Sequence, residues 1–243
     1  MAHATTEVSP AAGPPSPALA PLEMGDRLTR VEFERRYQAM PALKKAELIE
    51  GVVYMPSPVS TQHSGPHADL VSWLNVYRAA TPGLLVFDNT TLRLDEDNEP
   101  QPDALLAIDA KLGGQSHVDA DGYFAGPPEL IGEVASSSVS YDLHAKLQVY
   151  RRHGVREYVV WRVRDRELDW FRLDEGKYVP LARDNAGICK SSIFPGLWLD
   201  AAALVRGDLA RVLAVLQAGI ASPEHVNFAA QLDERRRLTE NPG

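Results

Sequence analysis

The sequence predicts a mixed α/β protein organised on a central sheet. Three observations carry that expectation. The elements run as a helix, strands, a helix and then mostly strands. The last strand candidates, Leu168 to Leu173 and Tyr178 to Leu181, alternate polar and apolar as antiparallel strands with one wet face do. Hydrophobic content of 44% and charged content of 24% over 243 residues are those of a globular chain.

Residues 1–24 are rich in Ala and Pro, bury too little to offset ordering entropy, and read as disordered. A short amphipathic helix is expected from Thr29. Thr29 is placed as its N-cap, Glu32 completes a capping box, and Val31, Phe33 and Tyr37 form the apolar side. Ala46 to Pro56 reads as a hairpin turning at Glu50-Gly51. Ser64 to Ala80 is helical by the spacing of Leu70, Val71, Leu74 and Tyr77, with Pro66 tolerable only in the first turn. Strands follow at Leu84 to Phe87, Thr90 to Leu94 and Ala104 to Ile108. Asp109 to Pro128 is then expected to be a long loop.

Leu130 to Val134 is a short buried strand. Tyr141 to His153 forms a helix striped with Leu143, Leu147 and Tyr150, which Gly154 ends. Tyr158 to Val163 is the next strand. Beyond Pro195-Gly196 the chain turns helical, with Leu209, Val212, Leu213 and Leu216 on one stripe. A last helix starts at Ser222-Pro223-Glu224 and frays from Asp233 onward.

Several function classes are poorly served. A lone Cys189 makes neither an internal disulfide nor a cysteine-based zinc site. No apolar run reaches the roughly 18 residues of a membrane span, and the N-terminus lacks the order of a secretory signal; a cytoplasmic protein is expected, with no membrane partner. His63 and His67 have the i,i+4 spacing of zinc ligands, but Gly65-Pro66 interrupts them and no third ligand is evident. Ser136-Ser137-Ser138 near His144 lacks the Gly-x-Ser-x-Gly turn of a serine hydrolase, and there is no phosphate loop. The net charge of −8 argues against a protein that coats nucleic acid, yet leaves room for a local basic groove. The most basic stretch, Lys146 to Arg166, is either that groove or a solvated face.

Chemistry concentrates between Gln101 and Trp161. Asp103 stands at a strand start, and Glu133 lies 30 residues on (133 − 103), sharing a strand face with Ile131 and Ala135. A carboxylate beside Ile131 on so short a strand is partly desolvated and needs a cation or a metal. Mg²⁺ satisfies two carboxylates at once. The alternative is that Glu133 pairs with an arginine and Asp103 caps a turn. Lys146 sits four residues after Asp142, an ordinary helical ion pair, but its stem is long enough to reach over the sheet toward the acids.

Glu47-Leu48-Ile49-Glu50-Gly51, Met55-Pro56-Ser57-Pro58, His63, Gln101-Pro102-Asp103, Glu133-Val134 and Ser136-Ser137-Ser138 are similar to motifs of the Uma-two family of putative restriction endonucleases. So are Asp142, Lys146, Tyr150, Gly154-Val155, Glu157-Tyr158 and Pro195-Gly196-Leu197. The resemblance covers roughly Glu47 to Leu204. It implies a restriction-endonuclease-like fold of the PD-(D/E)XK superfamily, a mixed central β-sheet flanked by helices; the domain is expected over residues 25–205, and a C-terminal helical extension over 206–243 lies beyond the resemblance.

What the resemblance further implies is a Mg²⁺-dependent endonuclease (Mn²⁺ as a substitute) acting on DNA. Asp103 and Glu133 would hold the metal, Glu47 would be an outer or second ligand, and Gln101 and His63 would stand behind them. The superfamily's lysine two residues after the Glu is Ala135 here, and Lys146 matches a lysine moved to the next helix. Val52 replaces a frequent family Glu, and Ser137 a frequent Pro. Two alternatives stay open. One is a nuclease fold without catalysis that binds nucleic acid. The other is an interaction protein working through the helices from Gly207, including as a homodimer.

Overall fold

A computed structural model describes residues 19–55, 60–136 and 138–240. Of the stretch read as disordered, 1–18 lie outside the described residues, as do Pro56, Ser57, Pro58 and Ser137 of the motifs. Leu22 is buried beside Phe33. Helix α1 (Arg30–Gln38) follows Thr29, but the capping box does not form: the Thr29 side chain makes no cap bond, and Glu32 instead takes the guanidinium groups of Arg35 and Arg36. Of its expected apolar side, Phe33 is buried and Val31 is exposed.

The hairpin forms as expected, β1 (Glu47–Ile49) and β2 (Val52–Tyr54) turning at Glu50-Gly51. Helix α2 (Thr61–Ala79) begins earlier than expected, so Pro66 lies in its second turn and neither it nor Gly65 interrupts the helix. His63 and His67 are therefore on one face, ring centroids 5.8 Å apart. Strands β3 (Leu84–Asp88), β4 (Leu92–Arg93) and β5 (Ala104–Ile108) follow. The expected loop from Asp109 is more ordered than its Gly and Asp content suggested. It holds a 3₁₀ turn at Ala110–Leu112 and two short strands, β6 (His117–Val118) and β7 (Phe124–Ala125), which make a small sheet with β4.

Strand β8 (Leu130–Ala135) is buried at all six positions. Helix α3 (Val139–Tyr141), a π-turn at Asp142–Lys146 and α4 (Leu147–His153) then carry the chain to β9 (Glu157–Arg162), with Gly154 in the left-handed C-cap. Next come β10 (Glu167–Asp174), β11 (Lys177–Pro180), β12 (Ile188–Lys190), β13 (Trp198–Asp200), α5 (Ala201–Val205), α6 (Leu209–Ile220) and α7 (Pro223–Glu240). The last helix stays regular to Glu240, past the point where fraying was expected.

The main sheet has six strands in the order β11-β10-β9-β8-β5-β3. Neighbours are antiparallel except β8 and β9, which are parallel and so need the helical crossover between them. Alternation divides the core into two layers. Leu130 and Val134 of β8, with Val159 and Trp161 of β9, face Leu70, Trp73, Leu74 and Tyr77 of α2. Ile131 and Ala135, with Tyr158 and Val160, face Val149 and Tyr150 of α4. Gly132 permits the close approach of α2, since a Cβ there would come within 3.0 Å of Leu70. Val212 and Leu216 of α6 and Leu232 of α7 pack into the first layer.

Candidate functional site

The register of the sheet assembles the site. Strand β5 pairs with β8 through Ala104 opposite Gly132 and Leu105 opposite Ile131. One step further along, Asp103 meets Glu133, on the face that carries Ile131 and Ala135. Opposed positions of that kind bring Cβ atoms to about 5 Å. The Asp103 N–H points at Glu133 Oε2, 3.4 Å away.

Each acid is anchored through one oxygen. Asp103 Oδ2 accepts the Val134 N–H at 2.8 Å and lies 3.2 Å from His63 Nε2. Its other oxygen, Oδ1, has only Lys45 Nζ, at 3.6 Å, among the described residues. Glu133 Oε1 accepts from Lys146 Nζ and from the Tyr150 hydroxyl, both at 3.0 Å, and leaves Oε2 to the long contact with Asp103. Two carboxylates thus present one lightly engaged oxygen each.

Lys146 owes its place to the π-turn. That turn rotates the helix so that Asp142 and Lys146 face inward, while Leu143 and Leu147 of the expected stripe are only half-buried. π-turns of this kind are frequent at functional sites. The ammonium lies 2.8 Å from Glu47 Oε1, 3.0 Å from Glu133 and 3.7 Å from Asp142. Glu47, on β1, also accepts the Gln101 N–H at 2.7 Å. Gln101 therefore contributes its main chain, and its side-chain amide turns away to Thr91. His63 supports Asp103, and His67 Nε2 contacts the Asp103 carbonyl oxygen at 2.8 Å. Ser138 donates to Asp142 at 2.5 Å.

The proton affinities follow from this crowding. Burial would raise Asp103, but the His63 hydrogen bond, Lys45 and the Val134 N–H outweigh it and hold the carboxyl below its ordinary range. Burial, with Asp103, Asp142 and Glu47 close by, overrides Lys146 and pushes Glu133 up to about 8. Asp142 is raised by burial too. Burial works against the Lys146 charge, yet Glu133, Glu47 and Asp142 hold it well above the ordinary lysine range. One ammonium cannot neutralise three acids, so Glu133 takes a proton when no further cation is present.

That deficit of positive charge, with hard oxygen donors only, fits a divalent ion of the Mg²⁺ type. The lightly engaged oxygens of Asp103 and Glu133 would hold it, with water completing the shell. Among the described residues no group of three His, Cys, Asp or Glu side chains is gathered as a metal shell. The Lys146 ammonium itself takes the position between Glu47, Glu133 and Asp142. The acids line a cavity of about 600 Å³ together with Lys45, which reaches Asp103, and the exposed Lys44.

The basic stretch from Lys146 to Arg166 is largely engaged, with Arg164 and Arg166 exposed. Lys146 is buried, Arg151 is bonded to the Gly176 carbonyl, Arg152 to Glu50, Arg156 to Gln115, and Arg162 to Asp165, Glu167 and Asp169. Lys45 and Lys44, which do face the site, lie outside that run. Only their nearness to Glu47 could have drawn attention to them. Tyr150, whose hydroxyl anchors Glu133, was visible as part of a motif but carried no assigned role.

A mixed central sheet flanked by helices is the architecture of the restriction-endonuclease-like fold. A solved structure shares that fold: a putative nuclease belonging to DUF820 from Anabaena variabilis, 15% identical, with a TM-score of 0.52 over 70% of this chain and 97% of that one. The chain belongs to the Uma2 family, described as "Putative restriction endonuclease", whose model matches residues 31–202. No curated protein matches it.

Proposed function

We propose that the protein is a divalent-metal-dependent endonuclease that hydrolyses phosphodiester bonds in DNA, with Asp103, Glu133 and Lys146 as its catalytic residues. The observation that carries this reading is the pairing of half-engaged carboxylates. Asp103 and Glu133 are each fixed by one oxygen and only lightly engaged at the other, beside a buried ammonium. A Mg²⁺ or Mn²⁺ ion held there supplies Lewis-acid polarisation of the phosphate and lowers the pKa of a bound water. Lys146, kept charged by its three acids, faces the charge that builds on the phosphoryl oxygens in the transition state.

Glu47 holds that ammonium in place and serves as an outer ligand. His63 and the Val134 N–H fix the direction of Asp103, and Tyr150 does the same for Glu133. Such supporting contacts are typically worth 10–100-fold in metal affinity or activity. The Gln101 N–H orients Glu47 in turn.

A second reading rests on one feature, the ammonium seated among the acids where a second cation would otherwise sit. It gives a nucleic-acid-binding or interaction module without hydrolysis. Circular DNA incubated with Mg²⁺, supercoiled plasmid and a single-stranded circle side by side, decides between them. The parent protein is expected to nick it and Asp103→Ala to leave it intact. Equal nicking by both proteins removes the assignment, and no nicking by the parent in Mg²⁺ or Mn²⁺ favours the binding module.

A further inference from the structure

The proposed catalytic side chains lie deep: Asp103 is 4% exposed, Glu133 2% and Lys146 3%. A phosphodiester must descend the cavity to reach them. The walls on that path are Met24, Leu43, Tyr54 and Met55, with Lys44 and Lys45 among them. Met24 is 65% exposed and lines the cavity, so it is placed to meet a ligand. The Tyr54 ring packs on that of Tyr141, centroids 4.3 Å apart, so it is braced from behind.

Paired DNA fits this passage poorly. Its bases are stacked inside the duplex, and its phosphates ride on a wide rod that cannot enter a cavity of about 600 Å³. An unpaired strand does not meet that obstacle. Its phosphate can enter singly, Lys44 and Lys45 of the lining can meet its backbone, and its bases can lie on apolar and aromatic walls, the usual means of binding single strands. A duplex would first have to extrude a nucleotide, at the expense of pairing and stacking.

From this geometry we infer that the substrate is nucleic acid unpaired at the point of cleavage, such as a single strand, a flap or a frayed end. The inference rests on the hydrolytic reading for its chemistry, but not for its recognition. Fluorescence anisotropy with the full chain and Ca²⁺ in place of Mg²⁺ tests recognition alone, using a labelled single-stranded oligonucleotide and a hairpin of the same sequence. Binding of the single strand is expected to be about 10-fold tighter or more, and Tyr54→Ala to weaken it about 10-fold. Met24→Glu, an exposed change that leaves the fold intact, is expected to weaken it as well.

Equal or tighter binding of the hairpin, no binding of the single strand, or variants that bind like the parent overturn the inference. The same oligonucleotides in Mg²⁺ keep the two ideas apart. A single strand that is bound but never cut ends the hydrolytic reading and leaves the recognition standing. Paired and unpaired DNA cut at equal rates leave the chemistry standing and end the inference.

Discussion

Strands β8 and β9 bury glutamates at both ends, and the two ends behave differently. At the start of the pair, Glu129 accepts the N–H groups of Ile108 and Gln115, one on each oxygen. Its neighbour Glu157 accepts the Ser191 hydroxyl on one oxygen and the N–H and hydroxyl of Ser192 on the other. Both are served by neutral donors and tie loops to the sheet. At the far end, Glu133 shares its surroundings with Asp103, Glu47 and Asp142, and a single ammonium serves three of them. Burial of a carboxylate is therefore no sign of function by itself. The sign is an oxygen left without a strong donor beside other acids, because such an arrangement calls for a proton or a cation from outside.

Substitutions at the two ends should separate these roles. Glu133→Gln is expected to lower Mg²⁺-dependent hydrolysis by about 10³-fold or more, since it removes a ligand from the metal that stabilises the transition state. Glu157→Gln should leave the rate per folded molecule unchanged. Equal losses in a plasmid assay would show that the ends do not differ in kind.

Lys146→Met is expected to destabilise the metal-free protein by about 3–5 kcal/mol at neutral pH, because it strands buried acids without their counter-charge. Added Mg²⁺ should recover part of that loss in urea titrations. Glu157→Ala should cost less, about 1–3 kcal/mol, through the orphaned Ser191 and Ser192 donors, and Mg²⁺ should recover none of it.

A smaller effect comes from pH. The Glu133 carboxyl is raised from 4.5 to about 8, so between those values the native state holds a proton that the unfolded chain has released. Stability of the metal-free protein must then fall as pH rises through that window. The melting temperature without metal is expected to decline from pH 5 to pH 8, and Glu133→Gln to flatten the decline. A profile that Glu133→Gln leaves unaltered would place the titration elsewhere.

How much of this was legible in the sequence depends on the distance over which each feature is determined. Alternation along Leu130 to Ala135 is local, and it put Glu133 on the face of Ile131 and Ala135. The stripe of Leu70, Leu74 and Tyr77 gave α2 for the same reason. That Asp103 faces Glu133 depends on the β5–β8 register, a pairing of segments far apart in the chain that no local pattern encodes. The resemblance named those residues but could not say how each is held.

The π-turn was hidden because it changes the helical phase without a Gly or Pro to mark it. Ordinary helical spacing therefore put Leu143 and Leu147 inward, where Lys146 and Asp142 are. Pro66 misled in the opposite direction: packing of Leu70, Trp73 and Leu74 on the sheet carries α2 past a residue that local preference places in a first turn. The arginines after Lys146 left a basic groove and a solvated face both open because their partners, such as Glu50 and Asp169, lie on other elements.

The central claim is that Asp103 and Glu133 together hold a divalent ion, and calorimetric titration of Mg²⁺ into the metal-free protein tests it most directly. One ion is expected to bind near neutral pH with release of a proton, seen as a heat that varies with the ionisation enthalpy of the buffer, and Asp103→Ala is expected to abolish binding. No binding by the parent protein, or equal binding by Asp103→Ala, would contradict it.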